Sequence, residues 1–351
     1  MIKLGIIGTG GMANDHARRF QKIKGVRIVA CCDIQEQRAK AFASTYGIPR
    51  WYTDTARMLD DGSLDAVSVV TVDSAHAPVS LAAIARGLPV LCEKPLATTL
   101  ADARKMREAA LTKGVVTQVN FSYRNSSGAQ AAATWIASGA IGRVMHVEAS
   151  YLQSWLAQDA WGDWRTTDAL TWRLCTRHGS AGTLGDIGCH IYDLATLLAG
   201  DIAALACDLK TFDKGVRGNR IGPYVLDAND SFVSTVELAG GGIGTVHATR
   251  WATGHHNSLR VRVYGDEGAV MVDLDRAYDR YWAIRGRQAM RKAEWREVRC
   301  KATPSQQERF IRAVTSGTSD VCDFAQGARV QAYLEASFRS DAAGRTVKVK
   351  A

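Results

Sequence analysis

The stretch IKLGIIGTGGMANDHARRFQKIKGVRIVACCD, residues 2–33, decides the fold of this chain. Its first apolar run, Ile2–Ile7, predicts a short buried strand that leads into the glycine-rich turn Gly8–Ala13. A helical pattern follows, and a second apolar run, Arg27–Cys32, ends at Asp33, twenty positions after Ala13. This order of strand, glycine turn, helix, strand and acidic residue predicts a βαβ unit that binds a dinucleotide.

The residue types in this unit suit a nicotinamide dinucleotide. Gly8 allows a tight turn, and Gly10, which has no Cβ, lets the backbone approach a pyrophosphate. Ala13 lets the helix lie close to the strand, and the helix N-terminus offers N–H groups to the phosphates. Asp33 can accept hydrogen bonds from a ribose 2′-OH and would repel a 2′-phosphate, so NAD is favoured over NADP. The predicted cofactor contacts of this unit are Gly8, Thr9, Gly10, Gly11, Met12, Ala13, Asp33, Ile34 and Arg38.

The bulk composition limits the class of protein. A length of 351 residues is long for one domain and suits two, and 46% hydrophobic with 23% charged residues is typical of a soluble globular protein. No apolar run is long enough to span a bilayer, and Met1 leads straight into a strand without a signal-peptide pattern. The eight cysteines form neither a CxxC pair nor a cluster at zinc spacing. We therefore expect a cytoplasmic protein with no metal site and no membrane contact.

The net charge of +9 has a local source. Between Arg276 and Lys301 there are nine basic residues and only three acidic ones. Such a cluster indicates either an anionic partner or a solvated basic face that keeps strand edges soluble. We prefer the second interpretation, because no nucleic-acid motif accompanies the cluster, and we expect no nucleic-acid partner. The cluster would still favour a negatively charged substrate.

The pattern of elements changes once along the chain. The first third alternates strands and helices, which predicts a doubly wound parallel sheet of the Rossmann type. After about Phe121 come a helix, a strand, a long irregular tract (Gln153–Gly185), a helix from about Asp186 to Leu198, and a succession of longer strands. That succession predicts a meander, and hence a large, open, mostly antiparallel sheet in an α+β domain. We predict an α/β protein with a Rossmann domain at 1–121 and a second domain at 122–351, whose last helices could pack back on the first.

Two local constellations carry candidate chemistry. In the first, Cys92-Glu93-Lys94-Pro95, the lysine follows the fifth strand at the predicted cofactor edge and could orient a hydroxyl or exchange a proton with it. The alternative is an exposed loop lysine that pairs with Glu93.

The second constellation is GTLGDIGCHIYD at 182–193, where Asp186, His190 and Asp193 recur at i, i+4 and i+7 on one helix face. A histidine with a neighbouring carboxylate is suited to general acid–base chemistry near neutral pH. Asp186 could instead be a helix N-cap, and His190 a core histidine with satisfied hydrogen bonds. Zinc is a poor alternative, because no third ligand has a motif.

In its motifs the chain resembles the Gfo/Idh/MocA oxidoreductases. The resemblance covers nearly the whole chain and depends on GTGGMA at 8–13, CEKPLA at 92–97 and AGTLGDIGCHIYD at 181–193. It implies a Rossmann domain, a second domain whose open sheet makes dimer or tetramer contacts, and hydride transfer between a sugar or cyclitol carbinol and a nicotinamide. The segments 151–155 and 250–257 resemble the branch of the family that includes levoglucosan dehydrogenase.

The resemblance also assigns roles to residues. It makes Lys94 the family's lysine, Asp186 the acid that binds substrate and His190 the catalytic histidine. The family's cofactor loop corresponds to Thr71, Val72, Asp73 and His76, with Asp73 where asparagine is usual. The remaining predicted cofactor contacts are Glu93, Lys94, Asn120, Trp172 and Arg173, and the predicted substrate contacts are Lys94, Arg124, Gln153, Trp155, Asp186 and His190.

The leading hypothesis is an NAD-dependent dehydrogenase of a sugar, glycoside or cyclitol. Two alternatives remain open. One is an NAD-dependent glycosidase, which oxidises a sugar carbon transiently, eliminates the aglycone and returns the hydride, possibly on an anionic glycoside. The other is a non-catalytic NAD-binding regulator on the same fold. We expect a homodimer or homotetramer that acts on a small carbohydrate.

Overall fold

The computed structural model describes residues 1–159 and 161–350. By its internal contacts, the described chain divides into two compact units. The first contains residues 1–122 and 304–331, and the second contains residues 123–303 and the chain from Ala332 onward. The predicted division into functional domains at 121/122 remains a prediction.

The helices and strands follow one another in the order expected of an α/β chain. The strands are β1 (Ile2–Ile7), β2 (Val26–Cys32), β3 (Arg50–Tyr52), β4 (Ala66–Val69), β5 (Val90–Cys92), β6 (Thr117–Val119), β7 (Val144–Leu152), β8 (Ile202–Lys210), β9 (Arg220–Ile221), β10 (Tyr224–Val225), β11 (Ser231–Leu238), β12 (Ile243–Thr249), β13 (Ser258–Gly265), β14 (Gly268–Asp273), β15 (Arg280–Arg285), β16 (Arg296–Arg299) and β17 (Val347–Lys348). The α-helices are α1 (Gly11–Gln21), α2 (Glu36–Tyr46), α3 (Thr55–Leu59), α4 (Asp73–Ala85), α5 (Leu100–Lys113), α6 (Ser127–Ala137), α7 (Asp168–Thr171), α8 (Cys189–Ala199), α9 (Arg287–Lys292), α10 (Gln306–Ser316) and α11 (Phe324–Ala343).

The first unit is built on a six-stranded sheet in the order β3-β2-β1-β4-β5-β6. Every pairing in it is parallel, which confirms the Rossmann-type sheet predicted from the alternating elements. The central strands β1, β4 and β5 are buried along almost their whole length, as is usual for parallel strands covered by helices. The carboxyl ends of parallel strands meet at one edge, so the residues that follow β1, β2, β4, β5 and β6 are gathered there.

The second unit contains a nine-stranded sheet in the order β16-β15-β14-β13-β7-β12-β11-β8-β17. It is mostly antiparallel, as predicted, but it is not a simple meander. β7 lies between β13 and β12 and runs parallel to β12, so the earliest strand of this unit occupies the middle of the sheet. The helices α6 and α8 pack on one face. The basic cluster of the sequence falls largely on β15, α9 and β16, the last of which is an edge strand.

The helix predicted from Asp186 to Leu198 begins earlier in the structure. A π-helical turn, Leu184–Gly188, runs directly into α8, so Asp186 lies inside the helical segment and is not its N-cap. Gly188 allows this segment to approach the sheet, because a Cβ at that position would lie 2.9 Å from the ring of Phe232. The irregular tract before it contains α7 and two short 3₁₀ helices, Trp172–Leu174 and Thr176–His178. Within the described residues, the structure has no helix with the length and apolarity that a membrane crossing needs.

Candidate active site

The glycine turn after β1 leaves room for a pyrophosphate. Gly8 has φ +90°, and a Cβ there would lie 2.4 Å from the carbonyl oxygen of Val70, so both its conformation and its surroundings require glycine. In contrast, a Cβ on Gly10 or Gly11 would project away from the described chain, with no heavy atom within 4 Å. Gly10 is also the N-cap of α1 and places no side chain over the first N–H groups of the helix. These donors and the open space in front of them fit a dinucleotide phosphate.

Asp33, at the end of β2, is held by the glycine turn itself. Its Oδ2 accepts hydrogen bonds from the backbone N–H (3.0 Å) and the hydroxyl (2.8 Å) of Thr9, and its Oδ1 accepts one from the N–H of Gln35 (2.9 Å). A carboxylate can accept about four hydrogen bonds, so the fixed group keeps capacity for a ribose hydroxyl. Ile34, which is 89% exposed, and the exposed Arg38 lie beside it.

The loop after β4 was predicted to contact the cofactor. Val72 is 64% exposed at the N-cap of α4, and Asp73 is in the first turn of that helix. His76 is completely buried, and its Nδ1 and Nε2 lie 2.7 Å from the carbonyl oxygen of Pro95 and 3.2 Å from that of Thr71. Both ring nitrogens thus face backbone carbonyls, and the structure places His76 between two loops.

Glu93 follows β5 and is the centre of a buried polar cluster. Its Oε1 accepts hydrogen bonds from Asn120 Nδ2 (2.6 Å) and from His16 Nε2 (2.9 Å), and its Oε2 accepts one from the backbone N–H of Lys94 (3.1 Å). Burial would raise the pKa of Glu93, but the hydrogen bonds and the charges of His16 and Lys94 outweigh it and lower that pKa to about 2. Glu93 is therefore an anion at neutral pH, and Lys94 beside it is only half-buried.

In the second unit, Asp186 is held by two arginines. Its Oδ2 accepts a hydrogen bond from Arg250 Nη2 (2.9 Å) and lies 3.5 Å from Arg173 Nε. Arg250 has no exposed surface; it also donates to the carbonyl oxygen of Arg173 and lies over the ring of Trp155 at 4.9 Å. A quarter of the Asp186 side chain remains exposed, so a fixed carboxylate is offered to solvent.

His190 lies beside two tyrosines in the same unit. Its ring meets that of Tyr123 edge to face at 4.8 Å, and that of Tyr151 at 6.4 Å. The two hydroxyls are 2.5 Å apart, and Asn257 donates to Tyr123 (2.8 Å) and accepts from Tyr151 (2.6 Å). Gln153 donates to Asn257 Oδ1 (2.8 Å), so the two tyrosines beside the imidazole belong to a connected set of hydroxyl and amide groups.

Other predicted substrate and cofactor residues of this unit are largely engaged with the protein. Arg124 is buried in a bidentate ion pair with Asp193, both contacts being 2.7 Å, so Asp193 faces Arg124. Trp155 is buried and donates its indole N–H to Gln153 Oε1 (3.0 Å). Arg173 stacks on Trp172 at 4.7 Å, and both side chains are half-buried. Their predicted contacts with substrate or cofactor remain predictions.

Several residues of the two clusters were assigned no role by sequence reasoning. They are His16, Tyr123, Tyr151, Arg250 and Asn257, of which the last three lie in the segments 151–155 and 250–257 that carry the family resemblance. A signal existed for His16, which stands on the buried stripe of α1 with Ala13, Ala17 and Phe20, where a polar side chain needs a partner. The others lie far apart in sequence, and only the fold brings them together.

The first unit fits the nicotinamide dinucleotide on its own observations. The uncapped N-terminus of α1, the open space at Gly10 and the fixed carboxylate of Asp33 match the pyrophosphate and the ribose. Asn120 adds a buried Oδ1 atom that has no hydrogen-bond partner among the described residues. For metals, the described residues bring together no group of three or more His, Cys, Asp or Glu side chains that could hold an ion.

Fold and site together define a two-unit protein with a Rossmann-type cofactor domain. The family profile described as the oxidoreductase family with an NAD-binding Rossmann fold matches residues 2–121, and the profile of the GFO/IDH/MocA C-terminal domain matches residues 129–271. The chain belongs to the Gfo/Idh/MocA oxidoreductases, and its cofactor is NAD, as the sequence predicted.

Characterised relatives are similar along most of the chain. A levoglucosan dehydrogenase from Pseudarthrobacter phenanthrenivorans is 29% identical over 83% of this chain and 78% of its own length. A D-apiose dehydrogenase from Paraburkholderia graminis is 27% identical over 98% of this chain and 89% of its own length. Among solved structures, a levoglucosan dehydrogenase in complex with NADH and levoglucosan superposes with a TM-score of 0.87 at 26% identity, with all of both chains covered.

Proposed function

We propose that this chain is an NAD-dependent dehydrogenase that oxidises a CH–OH group of a cyclic carbohydrate, which is a sugar, a glycoside or a cyclitol. The observation that carries the proposal is the position of Lys94. It follows β5 at the edge of the sheet where the other cofactor residues are gathered, and its backbone is fixed by the buried Glu93. The levoglucosan and D-apiose dehydrogenases among the relatives support the substrate class.

We assign the proton chemistry to His190. Imidazole is the side chain best suited to accept a hydroxyl proton near neutral pH. The rings of Tyr123 and Tyr151 limit how the imidazole can turn, which keeps it in one orientation. Asp186, fixed by Arg250 and still partly exposed, orients a neighbouring substrate hydroxyl by accepting its hydrogen bond.

Lys94 holds the reacting hydroxyl by donating a hydrogen bond to its oxygen. The nicotinamide supplies the hydride chemistry when it is bound. Overall, the carbinol loses a hydride and a proton and becomes a carbonyl. For the wider substrate wall we propose Gln153, Trp155 and Arg124, and for further cofactor contacts Trp172 and Arg173.

The test is a panel of levoglucosan, D-apiose, myo-inositol and aryl glycosides, assayed with NAD and with NADP for both NADH formation and aglycone release. We expect steady NADH formation with NAD on at least one compound. Aglycone release without NADH would instead support the redox-neutral glycosidase. No turnover on any compound, with NAD-dependent partner binding, would support the regulator.

Variants test the two assigned residues. Removing a general acid–base group typically costs about 100- to 10,000-fold, so Lys94→Ala and His190→Ala should each lower kcat by at least about 100-fold while NADH still binds. Arg299→Gln, on the exposed edge strand β16, is the matched control and should turn over normally. Normal turnover in either test variant would remove that residue from the mechanism.

We also propose a homodimer or homotetramer in a reducing, cytoplasmic compartment. The sheet face opposite α6 and α8 exposes alternate side chains, including Val233 (54% exposed) and Ile243 (58%), and such a face suits a second subunit. All eight cysteines lie within the described residues and are free thiols, as a reducing compartment would keep them. Light scattering of the purified protein tests the oligomeric state.

A further inference from the structure

We propose that His16 is a positioning residue for Lys94, acting through the carboxylate of Glu93. The proposal rests on the function proposed above for Lys94. It concerns only residues of the first unit: His16 on α1, Glu93 and Lys94 after β5, and Ser68 on β4.

The imidazole of His16 is fixed at both nitrogens. The side chain has no exposed surface; its Nδ1 lies 2.8 Å from Ser68 Oγ, and its Nε2 lies 2.9 Å from Glu93 Oε1. Asn120 Nδ2 also lies 3.1 Å from Nε2, but the carboxylate is nearer and only accepts hydrogen bonds, so we assign the proton to Nε2. A hydroxyl can either donate or accept, so Ser68 satisfies Nδ1 in either protonation state of the ring. His16 is therefore built to present an N–H to Glu93.

Glu93, held by His16, in turn fixes the backbone at Lys94. Its Oε1 receives both His16 and Asn120, and this leaves Oε2 directed at the backbone N–H of Lys94, 3.1 Å away. Without a donor on Oε1, the carboxylate could rotate and release that N–H. The backbone from which the Lys94 side chain extends would then lose a fixed direction.

A second buried histidine, His76, contacts Pro95, the residue after Lys94. His76 Nδ1 lies 2.7 Å from the carbonyl oxygen of Pro95. The Glu93–Pro95 turn is thus attached to α1 through His16 and to α4 through His76. Because α1 also carries the glycine turn at its N-terminus, one helix orients both the phosphate site and the lysine turn.

The hydrogen bond from His16 also keeps Glu93 ionised. The titratable groups that face Glu93 are His16 from α1, Lys94 next in the chain and the buried thiol of Cys92 before it. The hydrogen bond from His16 is the largest influence that opposes burial in lowering the pKa of Glu93. Without it, burial should raise that pKa, and Glu93 would be protonated in acidic buffers where the wild-type residue stays charged.

The central experiment compares His16→Gln with His16→Asn. A glutamine amide reaches the position of Nε2 and can still donate to Glu93, whereas an asparagine amide reaches only the position of Nδ1 and Ser68. We expect H16Q to stay within about 5-fold of wild type, and H16N to lose about 10- to 100-fold in kcat/KM, the cost of a misplaced catalytic group. The pH profile of kcat/KM in H16N should also fall at about pH 5, where Glu93 of the wild type is still ionised. Equal activity in both variants, with unchanged profiles, would overturn the proposal.

Two measurements do not depend on turnover. In ¹⁵N-labelled wild-type protein, the side-chain NMR signals of His16 should show a proton on Nε2. An imidazole protonated only at Nδ1 would overturn the proposal even if both variants fail to fold. Fluorescence titration with NADH should give H16N nearly the affinity of the wild type, because the glycine turn is intact.

Two controls separate this proposal from its premise. Phe42, on α2, belongs to the hydrophobic core that also contains Ala13, Ala17 and Phe20 of α1, so Phe42→Leu should lower Tm without changing the pH profile. If Lys94→Ala keeps full activity, the proposed function of Lys94 fails. If Lys94→Ala is inactive while H16N and wild type are alike, only the role of His16 fails.

Discussion

Arg250 and Asp186 form an ion pair in which the arginine is completely buried: Arg250 Nη2 lies 2.9 Å from Asp186 Oδ2, and the guanidinium has no exposed surface. Burial lowers the pKa of Arg250, and the charge of Asp186 counteracts that effect. The arginine comes directly after β12 and the aspartate from the π-helical turn before α8, so two distant segments meet at this pair. Asp186 is thereby fixed four residues before His190.

Replacing Arg250 should disable catalysis more than it disturbs cofactor binding. In Arg250→Met the Asp186 carboxylate loses its fixed donor, and we expect kcat/KM to fall by about 100-fold, the cost of a misplaced catalytic group. Arg250→Ala should recover part of its activity when guanidinium ion is added, because the small cation can occupy the vacated space. NADH affinity should stay within about 3-fold, since the glycine turn and Asp33 are in the other unit. A fully active Arg250→Met would show that Asp186 needs no fixed partner.

The two glycines of the turn after β1 should respond differently to alanine. Gly8→Ala places a Cβ 2.4 Å from a carbonyl oxygen at φ +90°, so Tm should fall by an amount that corresponds to more than about 1 kcal/mol. Gly10 has φ −75° and faces open space, so Gly10→Ala should leave Tm unchanged while the new methyl group meets the pyrophosphate. We expect NADH to bind at least about 10-fold more weakly to Gly10→Ala. Normal NADH affinity in a folded Gly10→Ala protein would contradict the proposed phosphate site.

Asp33 should set the preference for NAD over NADP. Asp33→Ser removes the negative charge and leaves a hydroxyl, so the ratio of kcat/KM for NAD to that for NADP should fall about 10- to 100-fold, consistent with about 1.5–3 kcal/mol for a charged hydrogen bond. Arg38, exposed on α2, is available to receive a 2′-phosphate. Glu36→Gln, which removes a charge from the same helix, is the control and should keep the wild-type ratio.

Glu93 should contribute to stability in a defined range of pH. Its pKa in the folded chain, about 2, lies below the ordinary value of 4.5, so its ionised form stabilises the fold above about pH 4.5. This contribution is lost as the pH falls from about 4.5 through about 2. The difference in unfolding free energy between the wild type and Glu93→Gln should therefore shrink on acidification. A difference that stays constant over this range would mean that folding does not lower the pKa of Glu93.

A second buried ion pair should matter for folding. Lys214 Nζ lies 2.6 Å from Asp230 Oδ2, and neither side chain has exposed surface. Lys214→Met leaves a buried carboxylate without its counter-ion, which should cost about 3–5 kcal/mol in a denaturant titration. The double variant Lys214→Met, Asp230→Asn removes both charges and keeps an acceptor for the N–H of Phe212, so we expect it to recover most of the loss. No recovery would show that the charges themselves stabilise the fold.

The sequence predicted the first unit well because its signals are local. The glycines, the apolar runs and the acid at the end of β2 are close together in the chain. Each is explained by one property: backbone freedom for the glycines, burial for the apolar runs, and hydrogen bonding to a ribose for the acid. The strands predicted at Ile2–Ile7 and Arg27–Cys32 agree with the observed β1 and β2 to within one residue at each end. Lys94, Asp186 and His190 were also chosen from motifs of a few residues.

The parts that sequence reasoning missed depend on pairing between distant segments. Nothing local indicates that β7 joins β12 and β13, because strand order depends on which surfaces can be buried together. The helix was predicted to start at Asp186, but the π-helical turn at Leu184–Gly188 precedes α8 in the structure. The glycines of this turn fit closely against Ala181 and Phe232, which are contacts that the sequence does not reveal.

By itself, then, the sequence determined the cofactor fold and its NAD cofactor, and it supplied the candidates for the reactive side chains, because these follow from short patterns of size, charge and backbone freedom. Only the tertiary structure decided which groups hold those side chains in place. Arg250 beside Asp186 and His16 beside Glu93 are 64 and 77 positions apart in the chain. The partner of a buried charge or imidazole depends on which distant segments the fold packs against it, and this depends on packing across the whole unit.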